Sequence, residues 1–206
     1  MLSGYYSLYL AFYNITELKL KTPKLLIKNI IAYLVSSIAV GAIPFVLLPI
    51  LTNILSPEEF GKIGLLELGI AFGFPIISLG LHGALNVEFF NRPKKDFSMY
   101  VFSVSVVPII VGCLIVFLLW GANILFGFQS VLPMDWLLLI PFIAVCQFFS
   151  QTWLIIVQCE KRPVAYGMMQ FVMVLLNFGL SLLFIMALQM RAEGRLYGIL
   201  IAFFVV

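Results

Sequence analysis

The sequence predicts an all-α protein, a polytopic bundle of helices threading a membrane. Three observations carry that reading. Of 206 residues, 63% are hydrophobic and 10% charged, against about 25% charged in soluble domains. The charges gather in short interruptions, leaving apolar stretches of about 22 to 26 residues, each enough to cross a hydrocarbon core of roughly 30 Å as a helix. These stretches are too long for barrel strands and lack alternation, and a lipid-embedded backbone must satisfy its own hydrogen bonds.

The elements follow in order. Residues 1–28 are expected to form a cytoplasmic segment, whose LSGYYSLYLAFY run is too short to span and has no cations ahead of it. It reads as an interfacial stretch or as an extension from a misplaced start, and resembles neither a secretory signal nor a first helix. Residues 29–206 make the membrane domain, with spans predicted near 29–54, 63–85, 99–120, 136–158, 163–188 and 195–206. Between the first two, Pro57, Glu58, Glu59 and Gly61 mark a short turn that ends one helix and begins another, where carboxylates suit the helix amino terminus. Pro44, Pro75 and Pro108 fall near the middle of their spans and Pro141 one turn into the fourth. Such prolines bend helices, which suits a bundle that opens alternately to each side, although proline is also simply frequent in membrane helices. Gly69 and Gly73 form GxxxG, a pattern that admits close backbone approach. The last span holds 12 residues, about 18 Å at the helical rise, so it is expected to be a truncated helix.

Sidedness comes from the cations. Lys19, Lys21, Lys24, Lys28, Arg92, Lys94, Lys95, Lys161 and Arg162 fall on one side of the predicted bundle, and Lys62, Arg191 and Arg195 on the other. The positive-inside rule then puts the amino terminus in the cytoplasm, the bilayer being the inner membrane, and the turn at 56–61 outside. Anionic lipid is the partner that these flanking cations imply.

Little points to catalysis. There is no HExxH, GxSxG or phosphate-binding glycine loop, and His82 is alone, so neither an enzyme, a metal, a cofactor nor a nucleic-acid partner is expected. Cys113, Cys146 and Cys159 have no ligand-like spacing and read as packing residues. Two polar stripes say more. Gln147, Gln151 and Gln158 share one face of the fourth span, and Gln170, Asn177 and Ser181 share one face of the fifth. Amides facing lipid would leave hydrogen-bonding groups unpaired, so these residues either join neighbouring helices or line a hydrated cavity, for which Gln147, Gln151, Gln170 and Asn177 are the candidates. Glu67, inside the second span, either pairs with a cation such as Arg191 or Arg195 or couples transport to an ion. Arg191 and Arg195 are expected at the outer mouth.

The ordered set of motifs resembles a known family. LPILTNILSPEEFGKIGLLELGIAFGFPIISLGLHGAL, with Pro57, Glu58, Phe60, Gly61, Gly80, Leu81 and Ala84, resembles the opening of bacterial polysaccharide-biosynthesis flippases, the O-antigen and teichoic-acid exporters. Arg162, Pro163, Tyr166 and Gln170 resemble the start of that family's fifth helix, and Gly194, Arg195 and Gly198 the start of its sixth. The resemblance covers roughly residues 23–206. It implies one six-helix lobe of a two-lobed transporter fold that moves a polyprenyl-diphosphate-linked oligosaccharide between leaflets, working beside polysaccharide polymerase and glycosyltransferases. The alternatives are a cation-coupled multidrug antiporter of the same superfamily, or a non-transporting membrane partner in polysaccharide assembly. The chain departs from the pattern in having no second lobe and no deep cavity-lining cations in its first five spans.

Overall fold

The computed structural model describes residues 23–126 and 132–205, and its regular elements are all α-helices. In chain order they are α1 (Pro23–Ile54), α2 (Pro57–Ser78), α3 (Leu81–Asn91), α4 (Lys94–Phe126), α5 (Met134–Cys159), α6 (Pro163–Met186) and α7 (Arg191–Val205). Among the described residues, Pro57–Ser78, Lys94–Leu125, Met134–Cys159 and Pro163–Met186 are each long and apolar enough to cross a membrane. The protein is a polytopic membrane helical bundle. The tyrosine-rich run and Lys19 and Lys21 lie outside the described residues.

Local chemistry explains the helix limits. The α2 helix begins with Pro57 behind a capping box: the Glu59 amide donates to Ser56 Oγ at 3.2 Å and the Ser56 amide donates to Glu59 Oε2 at 2.9 Å. Two donors that the first turn would otherwise orphan are thereby satisfied. The predicted span 63–85 is interrupted. Leu79 (φ +47°) and Gly80 (φ +70°) adopt left-handed backbone, so the run divides into α2 and α3. Glycine tolerates that conformation, and the Leu79 amide donating to the Pro75 carbonyl closes the last turn of α2. Pro75 therefore stands at the end of a helix, where the sequence suggested a mid-span position. The first and third spans are also longer than expected, beginning at Pro23 and Lys94.

The α5 helix is the hub, packed against α2, α3, α4, α6 and α7. The GxxxG pair of α2 makes room for it. A Cβ on Gly69 would stand 2.7 Å from Ile140 Cδ1, so the Ile140 side chain of α5 occupies the space that the glycine leaves. One apolar core gathers Leu51, Ile63, Leu66, Trp136, Ile143 and Leu196 near the Ser56 turn. A second gathers Leu85, Phe97, Val104 and Phe148 toward the opposite end of α5, where the Cys159 thiol donates to Asn86 Oδ1 at 3.3 Å. Outward-facing side chains are large and apolar: Phe45, Phe102 and Leu125 are 80%, 75% and 78% exposed. A water-soluble surface does not carry such a belt, whereas lipid tails cover it.

One of the three cysteines departs from its reading as a packing residue. Cys113 is exposed on the lipid-facing surface, whereas Cys146 is half-buried and Cys159 buried. His82 packs near the Phe74 ring, and its buried Nδ1 has no partner among the described residues.

Candidate functional site

The α6 and α7 helices make the closest approach in the bundle, and glycine permits it. A Cβ at Gly194 would stand 2.9 Å from the Ile185 amide nitrogen, and one at Gly198 would stand 2.7 Å from that of Ser181. Because the missing side chains let backbone meet backbone, Arg195, between the two glycines, is held against α6.

Arg195 is 4% exposed in a bundle of apolar side chains. Its Nη2 and Nε donate to Glu67 Oε1 at 2.8 and 3.1 Å. Its Nη1 donates to Asn177 Oδ1 at 2.6 Å, to Ser181 Oγ at 2.9 Å and more weakly to the Asn177 carbonyl at 3.4 Å. The Phe178 ring lies 4.3 Å from Cζ, within cation–π range. Ser181 donates its own proton to the Asn177 carbonyl, so its hydroxyl both gives and receives. Four residues on two helices, Glu67 on α2 and Asn177, Phe178 and Ser181 on α6, thus neutralise one guanidinium and engage most of its donors, as a charge withdrawn from water requires.

Around this cluster is a cavity of about 410 Å³, walled by Glu67, Gln147, Asn177 and Arg195 with apolar neighbours such as Phe60 and Phe203. Gln147 Oε1 is buried without a partner. Glu67 is asymmetric: both bonds from Arg195 fall on Oε1, and its side chain is 49% exposed. The cavity therefore presents unfilled acceptors beside a paired charge.

The predicted residues divide. Glu67, Gln147, Asn177 and Arg195 come together. Gln151 and Gln170 are half-buried and do not line this cavity, although each shares a helix face with a residue that does. Arg191 is at the rim, where its Nη1 donates to Glu59 Oε1 at 3.3 Å. Arg195 is not at an open mouth beside it: one turn further on, it turns inward to Glu67. The close α6–α7 approach and the acid on α2 draw it there. Phe178 was not singled out, and its spacing beside Asn177 carries no signal that distinguishes it from an ordinary core aromatic.

The chain is similar to Lsg locus putative protein 1 of Haemophilus influenzae, 25% identical over 144 residues, which is 70% of this chain and 33% of that protein. It is also similar to an uncharacterized membrane protein of Haemophilus influenzae, 26% identical over 178 residues, 86% of this chain and 42% of that protein. The chain thus spans between a third and about two-fifths of the length of these curated relatives. No protein-family model matches it, and no solved structure matches it.

Proposed function

We propose that the chain is the amino-terminal lobe of an exporter that moves polyprenyl-diphosphate-linked oligosaccharide across the bacterial inner membrane, with its amino terminus in the cytoplasm. The observation that carries a transport role is the cluster of Arg195, Glu67, Asn177 and Ser181 on the wall of a cavity inside an apolar bundle. Intramembrane charge is costly to hold and marks pathways more often than it marks packing. The substrate class rests on the sequence resemblance of the Ser56 turn and of the starts of α6 and α7.

In this reading Arg195 does not grip a diphosphate, because most of its donors and its charge are already engaged by Glu67, Asn177 and Ser181. It acts as a latch, tying α2 to α6 and α7 in one arrangement of the lobe, with Glu59 and Arg191 tied at the rim. Rocking α2 away would release Glu67 and open the cavity wall of Gln147 and Asn177 to water, in the manner of alternating access. A cation-coupled drug antiporter is the second reading, favoured by the half-exposed Glu67 carboxylate.

The test is translocation of a labelled lipid-linked oligosaccharide by the full-length protein in proteoliposomes. Movement that Arg195→Ala and Glu67→Ala each abolish is expected. Absence of oligosaccharide movement together with ion-driven drug uptake lost in Glu67→Gln would install the antiporter instead. Cysteines replacing Gln147 and Asn177 should react with a small aqueous reagent; failure at both would make the amides helix-joining groups only.

A further inference from the structure

We infer that the groove between α4 and α5, at the end of the bundle that carries Arg92, is a binding site for an anionic phospholipid. The groove holds about 1000 Å³ and is independent of the Arg195 cavity: the two share no lining residue. Its length is apolar, with Phe102 and Ile109 on one wall and Phe149 and Trp153 on the other. Its end is charged, because Lys94, Glu160 and Arg162 line the same hollow.

The charge selects the headgroup. Arg162 Nε approaches Glu160 Oε2 at 3.4 Å, and Lys94 has no ion pair among the described residues. Two cations less one carboxylate leave a single positive charge, which matches one phosphodiester better than a diphosphate. Basic hollows between membrane helices are where such headgroups settle. Ser98, one turn inward from Lys94 and in the same lining, adds a hydroxyl about 6 Å deeper, on the path from headgroup to chains.

The dimensions select a lipid of one leaflet. From Lys94 to Ile109 the α4 helix rises about 22 Å. Half of a hydrocarbon core plus one headgroup layer is roughly 20 Å. A two-chain phospholipid therefore fits with its phosphate at Lys94 and Arg162 and its chain ends near Ile109.

Native mass spectrometry of the full chain in neutral detergent tests this, with phosphatidylglycerol and phosphatidylcholine of identical chains in competition. One net positive charge at the surface gives roughly a fivefold preference for the anionic lipid. Glu160→Gln should raise that preference to about 25-fold, and Lys94→Gln with Arg162→Gln, which leaves only the Glu160 carboxylate, should reverse it to roughly fivefold in favour of phosphatidylcholine. Lys62→Gln, at the other end of the bundle, should leave it unchanged. Equal retention of both lipids, no rise with Glu160→Gln, or displacement of phosphatidylglycerol by equimolar polyprenyl diphosphate would overturn the assignment. If the double variant fails to fold, the gain in Glu160→Gln still decides.

Discussion

Removing Glu67 should damage the bundle more than removing Arg195, although the two form one ion pair. Glu67→Ala strands a guanidinium that is 4% exposed, leaving it Asn177, Ser181 and the Phe178 ring. Breaking a buried pair from one side costs about 3–5 kcal/mol. Because the Glu67 side chain is 49% exposed, the pair is only partly withdrawn from water, and we expect about 2–3 kcal/mol. Arg195→Met leaves a carboxylate that can rehydrate and a Ser181 hydroxyl that still donates to Asn177, so about 1 kcal/mol is expected. Glu67→Leu with Arg195→Met removes both charges and should return to within about 1 kcal/mol of the parent, as apolar replacements of buried pairs often do. The assay is equilibrium unfolding of the purified protein in mixed micelles titrated with a denaturing detergent, followed by tryptophan emission. Strictly additive effects, or Arg195→Met costing more than Glu67→Ala, would refute the claim that a withdrawn charge is held by its partner.

Other expectations follow from single positions. Gly198→Ala puts a Cβ 2.7 and 2.8 Å from backbone atoms of Ser181; it should cost about 2–3 kcal/mol in the same assay, while Gly179→Ala, which meets nothing within 4 Å, should be neutral or gain up to about 1 kcal/mol. Ser56→Ala removes the acceptor of the Glu59 amide and should cost about 1 kcal/mol, read as earlier unfolding of α2 by hydrogen exchange. A reporter fused after Lys95 should behave as cytoplasmic and one after Gly61 as external; the reverse pattern would invert the proposed orientation.

Helix class was legible because lipid leaves the backbone few choices. Apolar run length specified α5 and α6 to within about two residues, as it must when a missing helical bond has no water to replace it, whereas α4 runs five to six residues beyond its apolar run at each end. The break at Leu79 and Gly80 was not read from hydropathy: Ser78, Gly80, His82 and Gly83 lower the apolar character there without ending the run, and a left-handed pair depends on backbone geometry that hydropathy does not encode. The site was legible in part for a similar reason. Periodicity assigned Gln147 and Gln151 to one face, and Gln170 and Asn177 to another, but a face is wider than a cavity, so only one residue of each pair lines it.

Arg195 gives the sharper case. Its position near the start of α7 suggested the membrane boundary, where long basic side chains ordinarily reach outward to water. What reverses the direction is a conjunction of three features far apart in sequence: small residues at Gly194 and Gly198, an acceptor pair at Asn177 and Ser181, and a carboxylate at Glu67. Each alone is commonplace. Together they make the interior a better solvent for one guanidinium than the interface, because its bonds to Glu67, Asn177 and Ser181 form at once only there. An intramembrane arginine flanked by glycines, with an acid in another span, should therefore be read as an inward latch before it is read as a surface anchor.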